Sequence, residues 1–349
     1  MFVGDDAHIV PQGEMKTYRA LCTLHFAFIS TNPNLSNDTY LLFLYFMVKL
    51  NQLEFGRIVM IDLARSKEIF LRIYNSEELA NRIECYINKH KTTVKLYLVL
   101  CNQNRWEPLL KQNPMMKLSL VYAFLPTVWD RYKEKVIPEE IFWDTMSDIK
   151  IWIDDHKAET NEDGLYELHW IMHHMNLGIF KIGRLQFQKL FYFFKTPYKN
   201  GDNEVKLGDK ILNVHIPRGA KLDFDECEKS FVMAQEFFAK YYPDFPNNKF
   251  MCHSWLLYSG NKNFMEEESN ILKFQKLFEL VEEKEAPHPT YRWLFGVKIK
   301  NADLMKNKKE SGSYGFTGGL KKNTDLRRTA IEYIKNGGVF GEGLGVKFI

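Results

Sequence analysis

Histidine at a predicted strand end is the clearest candidate for proton chemistry in this sequence. In residues 210–216, alternation places Leu212, Val214 and Ile216 on one face and Asn213 and His215 on the other. His215 therefore lies on the less apolar face, at the strand end and immediately before a loop. This position suits a general base. A histidine whose ring only hydrogen-bonds a neighbouring backbone group fits the same pattern.

The adjacent pair Cys252-His253 suggests a nucleophile and its base. Neighbours on a strand point to opposite faces, so these two cannot form a dyad with each other unless the strand bulges. Cys252 could instead be oriented by the distant His215, or its thiol could protonate a leaving group. His253 is predicted to be a polar residue of a cleft. A buried structural cysteine is the alternative for Cys252.

Four further polar residues are candidates for binding a substrate. Arg184 and Gln186 alternate with apolar residues and share one face of a predicted strand, where Arg184 could grip a carboxylate or phosphate with its bidentate fork. Pairing of Arg184 with an acidic residue of the protein is the alternative. Ser254 lies beside the Cys252-His253 pair, and Asn270 lies at the predicted start of a helix.

His169 and His173 lie four residues apart on one helical face, which is a metal-ligand spacing. Trp170 stands where a metalloprotease helix would carry glutamate, and a third ligand is not evident. We therefore expect no metal, and packed or surface histidines explain the spacing better.

Helical patterns dominate residues 15 to about 155. They predict a capped, buried helix near residues 38–53, a helix opened by Ser76, and a helix that starts at Pro138 and continues through Trp152. Residues 94–101 fit either a strand or a buried helix. The polar, turn-rich stretch 156–164 marks a predicted boundary between residues 1–157 and 158–349.

Strands and helices alternate after this boundary. The patterns predict one or two strands over 179–194, a strand over 210–216, a helix over 223–242, a strand over 250–257, a helix over 270–283, a strand over 291–297 and a last helix over 325–336. Late glycines predict turns around a final strand at 346–349. The fold class is therefore α+β, with a helical N-terminal domain followed by an α/β domain with a mixed sheet.

Composition excludes several classes of protein. The chain has 349 residues, 45% hydrophobic and 26% charged, which is typical of a globular protein of two domains. Its most apolar run, residues 40–50, is too short for the roughly 20 residues of a membrane span. Five scattered cysteines and a polar N-terminus predict a soluble, cytoplasmic protein with reduced thiols and no membrane partner.

An ordered series of motifs resembles a bacterial acyltransferase-domain family, which pairs a helical N-terminal domain with a GNAT-like C-terminal domain. The resemblance covers roughly residues 118–280. Its motifs are Asp144-Thr145, Gly183-Arg184-Leu185-Gln186-Phe187, His215-Ile216-Pro217, Cys252-His253-Ser254-Trp255-Leu256-Leu257 and Ser269-Asn270-Ile271. The resemblance implies direct acyl transfer from acyl-CoA to an amine of a small-molecule acceptor, with His215, Cys252 and His253 in the cleft.

The resemblance also implies a loop that holds the pyrophosphate of CoA on backbone N–H groups near a helix N-terminus. The corresponding loop, residues 217–222, offers Arg218, Gly219 and Lys221. Asp223 and Glu226 have capping-box spacing and would compete for the N–H groups of the helix. An ordinary capped helix is therefore the alternative at this position.

A basic tail gives a second hypothesis from another class of protein. Residues 298–349 carry eleven Lys or Arg against five Asp or Glu, a net charge of +6. They could form a basic lid on an enzyme, with residues 311–319 as its flexible loop. They could also belong to a catalytically silent GNAT-like binding module for RNA or an acidic partner. The small net charge of the whole chain, +3, makes nucleic acid the weaker expectation, and a solvated charged surface is the simplest explanation of the tail.

Overall fold

Helices form the N-terminal part of the protein in the computed structural model, which describes residues 60–296 and 320–349. The helices before the first strand are α1 (Leu63–Ile73), α2 (Glu77–Lys89), α3 (Lys91–Asn102), α4 (Pro114–Glu134), α5 (Glu139–Met146), α6 (Asp148–Thr160) and α7 (Leu168–Met175). The segment that fitted strand or helix equally is helix α3. The predicted helix at 38–53 and the predicted loop at 311–319 lie outside the described residues.

Helix starts follow their capping residues. Ser76 accepts a hydrogen bond on Oγ from the backbone N–H of Leu79 at 3.2 Å, which confirms the helix start predicted there. The single helix predicted after Pro138 is wrong in one respect, because Ser147 separates it into α5 and α6. Pro138 itself is the cap rather than the first helical residue.

Strands and further helices alternate after α7. They are β1 (Ile179–Ile182), β2 (Leu185–Phe191), β3 (Tyr198–Asn200), β4 (Asn203–Val205), β5 (Lys210–His215), α8 (Phe224–Tyr241), β6 (Lys249–Ser254), α9 (Asn270–Gln275), β7 (Glu279–Glu285), α10 (Pro287–Thr290), α11 (Asp325–Lys335) and β8 (Gly341–Phe348). Within the described residues, β1-β2-β5-β6-β8-β7 is the order of a six-stranded sheet, and β3 and β4 form a separate hairpin. The β5–β6 pair is parallel and the other neighbours are antiparallel, which confirms the predicted mixed sheet and the α+β class.

Two predicted elements near the C-terminus are wrong. The helix predicted over 270–283 ends at Gln275, and the chain continues as strand β7. The strand predicted over 291–297 is a π-helical turn, Tyr291–Phe295, which ends at Gly296 with a left-handed backbone, φ +72°. Of the late glycines, Gly337 lies in a turn as predicted, whereas Gly341, Gly343 and Gly345 lie inside β8.

One hydrophobic core runs through both parts of the chain. The largest cluster of buried side chains includes Ile69 and Phe142 from the helical part and Phe187 and Phe250 from the sheet. Smaller clusters cover the outer face of the sheet and the region of α11. The helical part and the sheet therefore share a core rather than meeting at a loose interface.

Candidate functional site

Strands β5 and β6 separate at their carboxyl ends. They pair as parallel neighbours only at Leu212 with Phe250 and at Asn213 with Met251. β8 pairs with β6 over the whole of Lys249–Ser254, on the edge of β6 opposite β5. A cavity of about 490 Å³ opens where the two strands part, and Val214, His215, His253 and Ser254 line it. The two strands therefore leave an open slot between their carboxyl ends.

Both parts of the protein build the wall of this cavity. Helices α6 and α7 contribute Asp148, Trp152 and Trp170, while the loop at 216–222 and the π-helical turn close the other sides. Ile216 and Leu256 are among its apolar lining residues. A mostly apolar cavity with a few convergent polar groups is typical of a ligand site.

His215 lies on one edge of the slot, on a polar patch formed with Gln186, Gln188 and Asn213. The β2–β5 register places Gln186 opposite His215 and Gln188 opposite Asn213. Nε2 of His215 lies 2.8 Å from Oε1 of Gln188 and 3.0 Å from Nδ2 of Asn213. We assign the proton to Nε2, which then donates to Gln188. Nδ1 has no hydrogen-bond partner in residues 60–296 and 320–349, so it keeps its lone pair.

His215 is held in its neutral form. Burial lowers its pKa to about 3, with help from the nearby His174 and His173 and against the attraction of Asp148. The edge of the Trp170 indole packs on the His215 ring at 4.7 Å between centroids and 72° between planes. Its free ring nitrogen can therefore take a proton only from a strongly acidic group.

A buried carboxylate fixes the tryptophans of this wall. Oδ2 of Asp148 accepts hydrogen bonds from the indole N–H groups of Trp152 at 2.9 Å and Trp170 at 2.6 Å, and it lies 3.3 Å from Nε2 of His174. Burial raises the pKa of Asp148, but these donors outweigh it and hold the pKa near 2. Sequence reasoning did not single out these two tryptophans as site residues. Their side chains meet only through the fold.

His253 lies on the opposite edge of the slot. Met251 and Ile211 share the outer core of the sheet, so His253 and His215, each an even number of residues away, face the same side. Nε2 of His253 lies 3.4 Å from the Glu342 carboxylate of β8. The hydrogen bond from His253 lowers the pKa of Glu342 to about 2, with further help from Lys284 and against burial. The structure thus brings two predicted histidines to one slot.

Cys252 does not reach the cavity. Its side chain is 0% exposed and packs in the main core, on the face opposite His253. Burial raises its pKa to about 12, so the group is a neutral thiol at physiological pH. Because thiolates are the nucleophilic form, this geometry does not support a cysteine nucleophile.

Arg184 points toward the 217–222 loop. Its guanidinium donates to the backbone carbonyls of Pro217, Ala220 and Lys221 at 3.2, 2.8 and 2.8 Å. Within the loop, Gly219 has a left-handed backbone, φ +93°.

Arg218 and Lys221, the two cations predicted to bind the cofactor, lie at the exposed side of this loop. Arg218 is paired with Asp155 of α6 at 2.7 Å, and the Lys221 side chain is exposed. Arg218 also lines the cavity. The predicted capping by Asp223 is confirmed, because its Oδ1 accepts the N–H of Glu226 at 3.2 Å.

The remaining predicted substrate-binding residues differ in their exposure to the cavity. Gln186 is 1% exposed and lines the cavity, and its Nε2 has no hydrogen-bond partner in the described part of the chain. Ser254 also lines it, with Oγ accepting the N–H of Leu256 at 3.2 Å. Asn270 begins α9 behind its cap Ser269, and its neighbour Ile271 is the residue that lines the cavity.

The histidines of α7 are separated by their surroundings. His169 is 62% exposed and lies 3.2 Å from Glu167, whereas burial lowers the pKa of His173 to about 4. Over residues 60–296 and 320–349, no group of three or more His, Cys, Asp or Glu is arranged to hold a metal ion. Within the same ranges, every helix is too short or too polar to cross a membrane.

Comparison with known families identifies both parts of the chain. Residues 66–177 match the N-acyltransferase N-terminal domain, and residues 179–347 match the GNAT-like C-terminal domain. The two matches meet at residues 177–179, while the predicted boundary at residue 157 stays a prediction. No curated protein matches the chain.

Several solved acyltransferases share the fold. One in complex with CoA and 10C-teicoplanin is 20% identical, with a TM-score of 0.54 over 67% of this chain and 66% of that one. A mutant acyltransferase in complex with octanoyl-CoA is 17% identical, with a TM-score of 0.63 over 82% of this chain and 88% of that one. An acyltransferase with decanoyl-CoA and teicoplanin is 17% identical, with a TM-score of 0.61 over 81% and 87%. The chain spans slightly less than two thirds of the first of these structures.

Proposed function

We propose that this chain, which belongs to the family pairing an N-acyltransferase N-terminal domain with a GNAT-like C-terminal domain, transfers an acyl group from acyl-CoA to the amine of a small acceptor. The slot between β5 and β6 carries the proposal, because it opens where the parallel pairing stops and has a histidine on each edge. The CoA and acyl-CoA complexes of the similar structures support the donor. Their teicoplanin complexes support a small-molecule acceptor.

The chemistry of the slot fits an acyl-CoA. Apolar side chains such as Val214, Ile216 and Leu256 suit an acyl chain and the pantetheine arm. Arg218 at the cavity and the nearby Lys221 supply positive charge for the phosphates. The capped N-terminus of α8 is occupied by Asp223, so the backbone of the 217–222 loop is the better anion site.

His215 is the proposed base through Nδ1. An imidazole whose pKa lies near 3 is too weak to deprotonate an alkylammonium ion, but it does not need to. Attack of the neutral amine on the thioester carbonyl gives a tetrahedral adduct whose nitrogen carries a positive charge and is strongly acidic. His215 accepts the proton at that stage, and the acceptor must arrive as the free amine.

Gln186 and His253 are proposed to stabilise the two negative charges of the reaction, on the oxygen of the adduct and on the leaving thiolate. The unpaired Nε2 of Gln186 donates to the oxygen of the adduct, because a buried donor without a partner gains most from a developing oxyanion. When the C–S bond breaks, the thiolate needs a proton. His253, oriented by Glu342, supplies it from the opposite edge of the slot.

A donor-and-variant assay tests this function. Purified protein is incubated with octanoyl- or decanoyl-CoA and a panel of primary amines, and acylated product is followed by mass spectrometry. Mass detection is required because exposed Cys85 would react with thiol reagents. We expect octanoyl-CoA to raise the melting temperature and His215→Ala to lower turnover by about 100-fold or more, as loss of a general base does.

His90→Ala is the matched control, because His90 lies between α2 and α3, away from the slot. It should leave turnover at the wild-type level. Wild-type turnover in His215→Ala would remove His215 from the mechanism. Absence of both donor-induced stabilisation and product would contradict the function, and steeply salt-dependent oligonucleotide binding in that case would favour the silent binding module.

A further inference from the structure

Arg184 occupies a position that the backbone fixes from two sides. It follows Gly183, which has a left-handed backbone with φ +63°, and its own N–H donates to Oγ of Ser230 at 2.7 Å. A Cβ at Gly183 would lie 2.6 Å from that same Oγ, so the turn and α8 are in close contact. Leu185, the next residue, is fully buried. These contacts hold the backbone of Arg184 in place and so fix the position from which its guanidinium extends.

The guanidinium of Arg184 donates hydrogen bonds to a single loop. Its Nε, Nη1 and Nη2 donate to three carbonyls of the 217–222 loop, and no acidic side chain of the described residues forms an ion pair with it. Arg218 and Arg292, which also line the cavity, are by contrast paired with Asp155 and Glu167. Arg184 thus keeps its positive charge uncompensated beneath the loop, even though burial lowers its pKa.

The hydrogen bonds from Arg184 to the loop carbonyls determine where the loop amides point. The C=O and N–H of one peptide unit point in opposite directions. Carbonyls of Pro217, Ala220 and Lys221 turned toward Arg184 therefore turn the N–H groups of Arg218, Lys221 and Leu222 away from it. None of these amides donates to an acceptor in the part of the chain that the structure describes. Loop amides without an acceptor in the protein are available to bind an anion, as the amides of a nest do.

We propose that Arg184 is a positioning residue, which holds the 217–222 loop so that its amides face the pyrophosphate of the acyl donor. This inference rests on the proposed function. Arg184 lines the cavity, and the role proposed for it acts through the loop. Its guanidinium fork sets the direction of the amides, and its charge favours the anion beyond them. Lysine carries the same charge but cannot hold three carbonyls in a fixed fork.

A comparison of two donors isolates this role. Octanoyl-CoA carries the pyrophosphate, and octanoyl-pantetheine lacks it but shares the thioester and the arm. Arg184→Lys and Arg184→Met should each raise KM for octanoyl-CoA about tenfold or more, as expected for the loss of charged hydrogen bonds, with kcat nearly unchanged. Turnover of octanoyl-pantetheine should stay at the wild-type level. Titration of CoA by calorimetry gives the same comparison without turnover.

Lys229→Met is the control for loss of a nearby surface charge, because Lys229 is exposed on α8 and paired with Glu226. It should leave both donors unaffected. Equal losses for the two donors in the Arg184 variants would reduce Arg184 to a structural residue and overturn the inference, as would Arg184→Lys behaving as wild type. A wild-type protein without transferase activity would instead contradict the proposed function, and tight CoA binding that weakens in Arg184→Lys would still support the role of Arg184.

Discussion

Gln186 and Gln188 are neighbours on one face of β2 with opposite hydrogen-bonding states. Nε2 of Gln186 is buried without a partner in the described residues, while Oε1 of Gln188 lies within hydrogen-bonding distance of His215 and Asn213. We expect Gln186→Met to raise the free energy of unfolding by about 1 kcal/mol, because an unpaired polar group leaves the core. The same change should lower kcat by about 100-fold if Gln186 donates to the oxyanion.

Gln188→Met is the matched comparison, since it removes a used acceptor and should lower the free energy of unfolding. Urea denaturation and single-turnover rates measure both effects. A Gln186→Met protein that is less stable than wild type and equally active would show that the amide is satisfied in solution and has no part in the reaction.

The family resemblance, rather than strand alternation, placed His215 and His253 in a cleft. Alternation excluded Cys252-His253 as a dyad on a strand without a bulge. It could not reveal that Cys252 is buried or that Arg184 serves backbone carbonyls, because those facts depend on elements that are distant in sequence. A residue's neighbours along the chain define its face. Its partners across the fold define its role.

Strand β8 allows the 3₁₀ turn of the cavity wall to approach closely, because it carries glycine at the point of contact. A Cβ at Gly343 would lie 2.6 Å from the carbonyl oxygen of Leu257, which ends the 3₁₀ turn that carries Trp255 and Leu256 into the cavity wall. We expect Gly343→Ala to lower the free energy of unfolding by about 2 kcal/mol, since backbone cannot move aside as easily as a side chain. The displaced turn should also raise KM for the acyl donor.

Gly337→Ala provides the control. Gly337 has a left-handed backbone, φ +86°, and a Cβ added there would meet no atom of the described residues within 4 Å. Alanine at this position should therefore cost only about 1 kcal/mol of backbone strain and leave KM unchanged. Chemical denaturation and donor kinetics check both variants. Equal losses in the two proteins would mean that the contact between β8 and the turn is not tight.

Long-range pairing explains the elements that local patterns misplaced. Residues 279–285 are rich in helix-forming Glu, Leu and Lys, yet they pair with β8 along their length as β7. The preceding helix α9 ends at Gln275, whose side chain donates to the carbonyls of Leu256 and Tyr258. The strand conformation of 279–285 and the early end of α9 both depend on contacts with residues outside the local sequence pattern.

The candidate functional site lies between two family domains that share one core. Asp148, Trp152 and Trp170 come from the N-acyltransferase domain, and His215 and His253 come from the GNAT-like domain. The sequence predicted both domains and the mixed sheet. It did not predict that the helical part supplies a wall of the cavity, because no local signal links α6 and α7 to the end of β5.

Buried neutral histidines make the stability of the whole molecule sensitive to acid. Burial lowers the pKa of His215 to about 3 and of His173 to about 4, and it also lowers the pKa of His156, whose two ring nitrogens have no partner in the described residues. In the unfolded chain these groups titrate near 6.5. The unfolded state therefore binds more protons below that pH, and stability falls as the pH falls.

The expected window follows from these values. From about pH 6.5 down to about 4, His215 and His173 each remove up to about 1.4 kcal/mol per pH unit from the free energy of unfolding, and His156 adds to the loss in the same direction. Asp148 and Glu342, whose pKa values are held near 2, add to the loss only below about pH 4. Urea denaturation at pH 7, 6 and 5 measures the slope. His156→Leu should flatten it, whereas His169→Gln, at an exposed position, should not, and a free energy of unfolding that stays constant from pH 7 to pH 5 would mean that these histidines are hydrated and free to ionise in the folded protein.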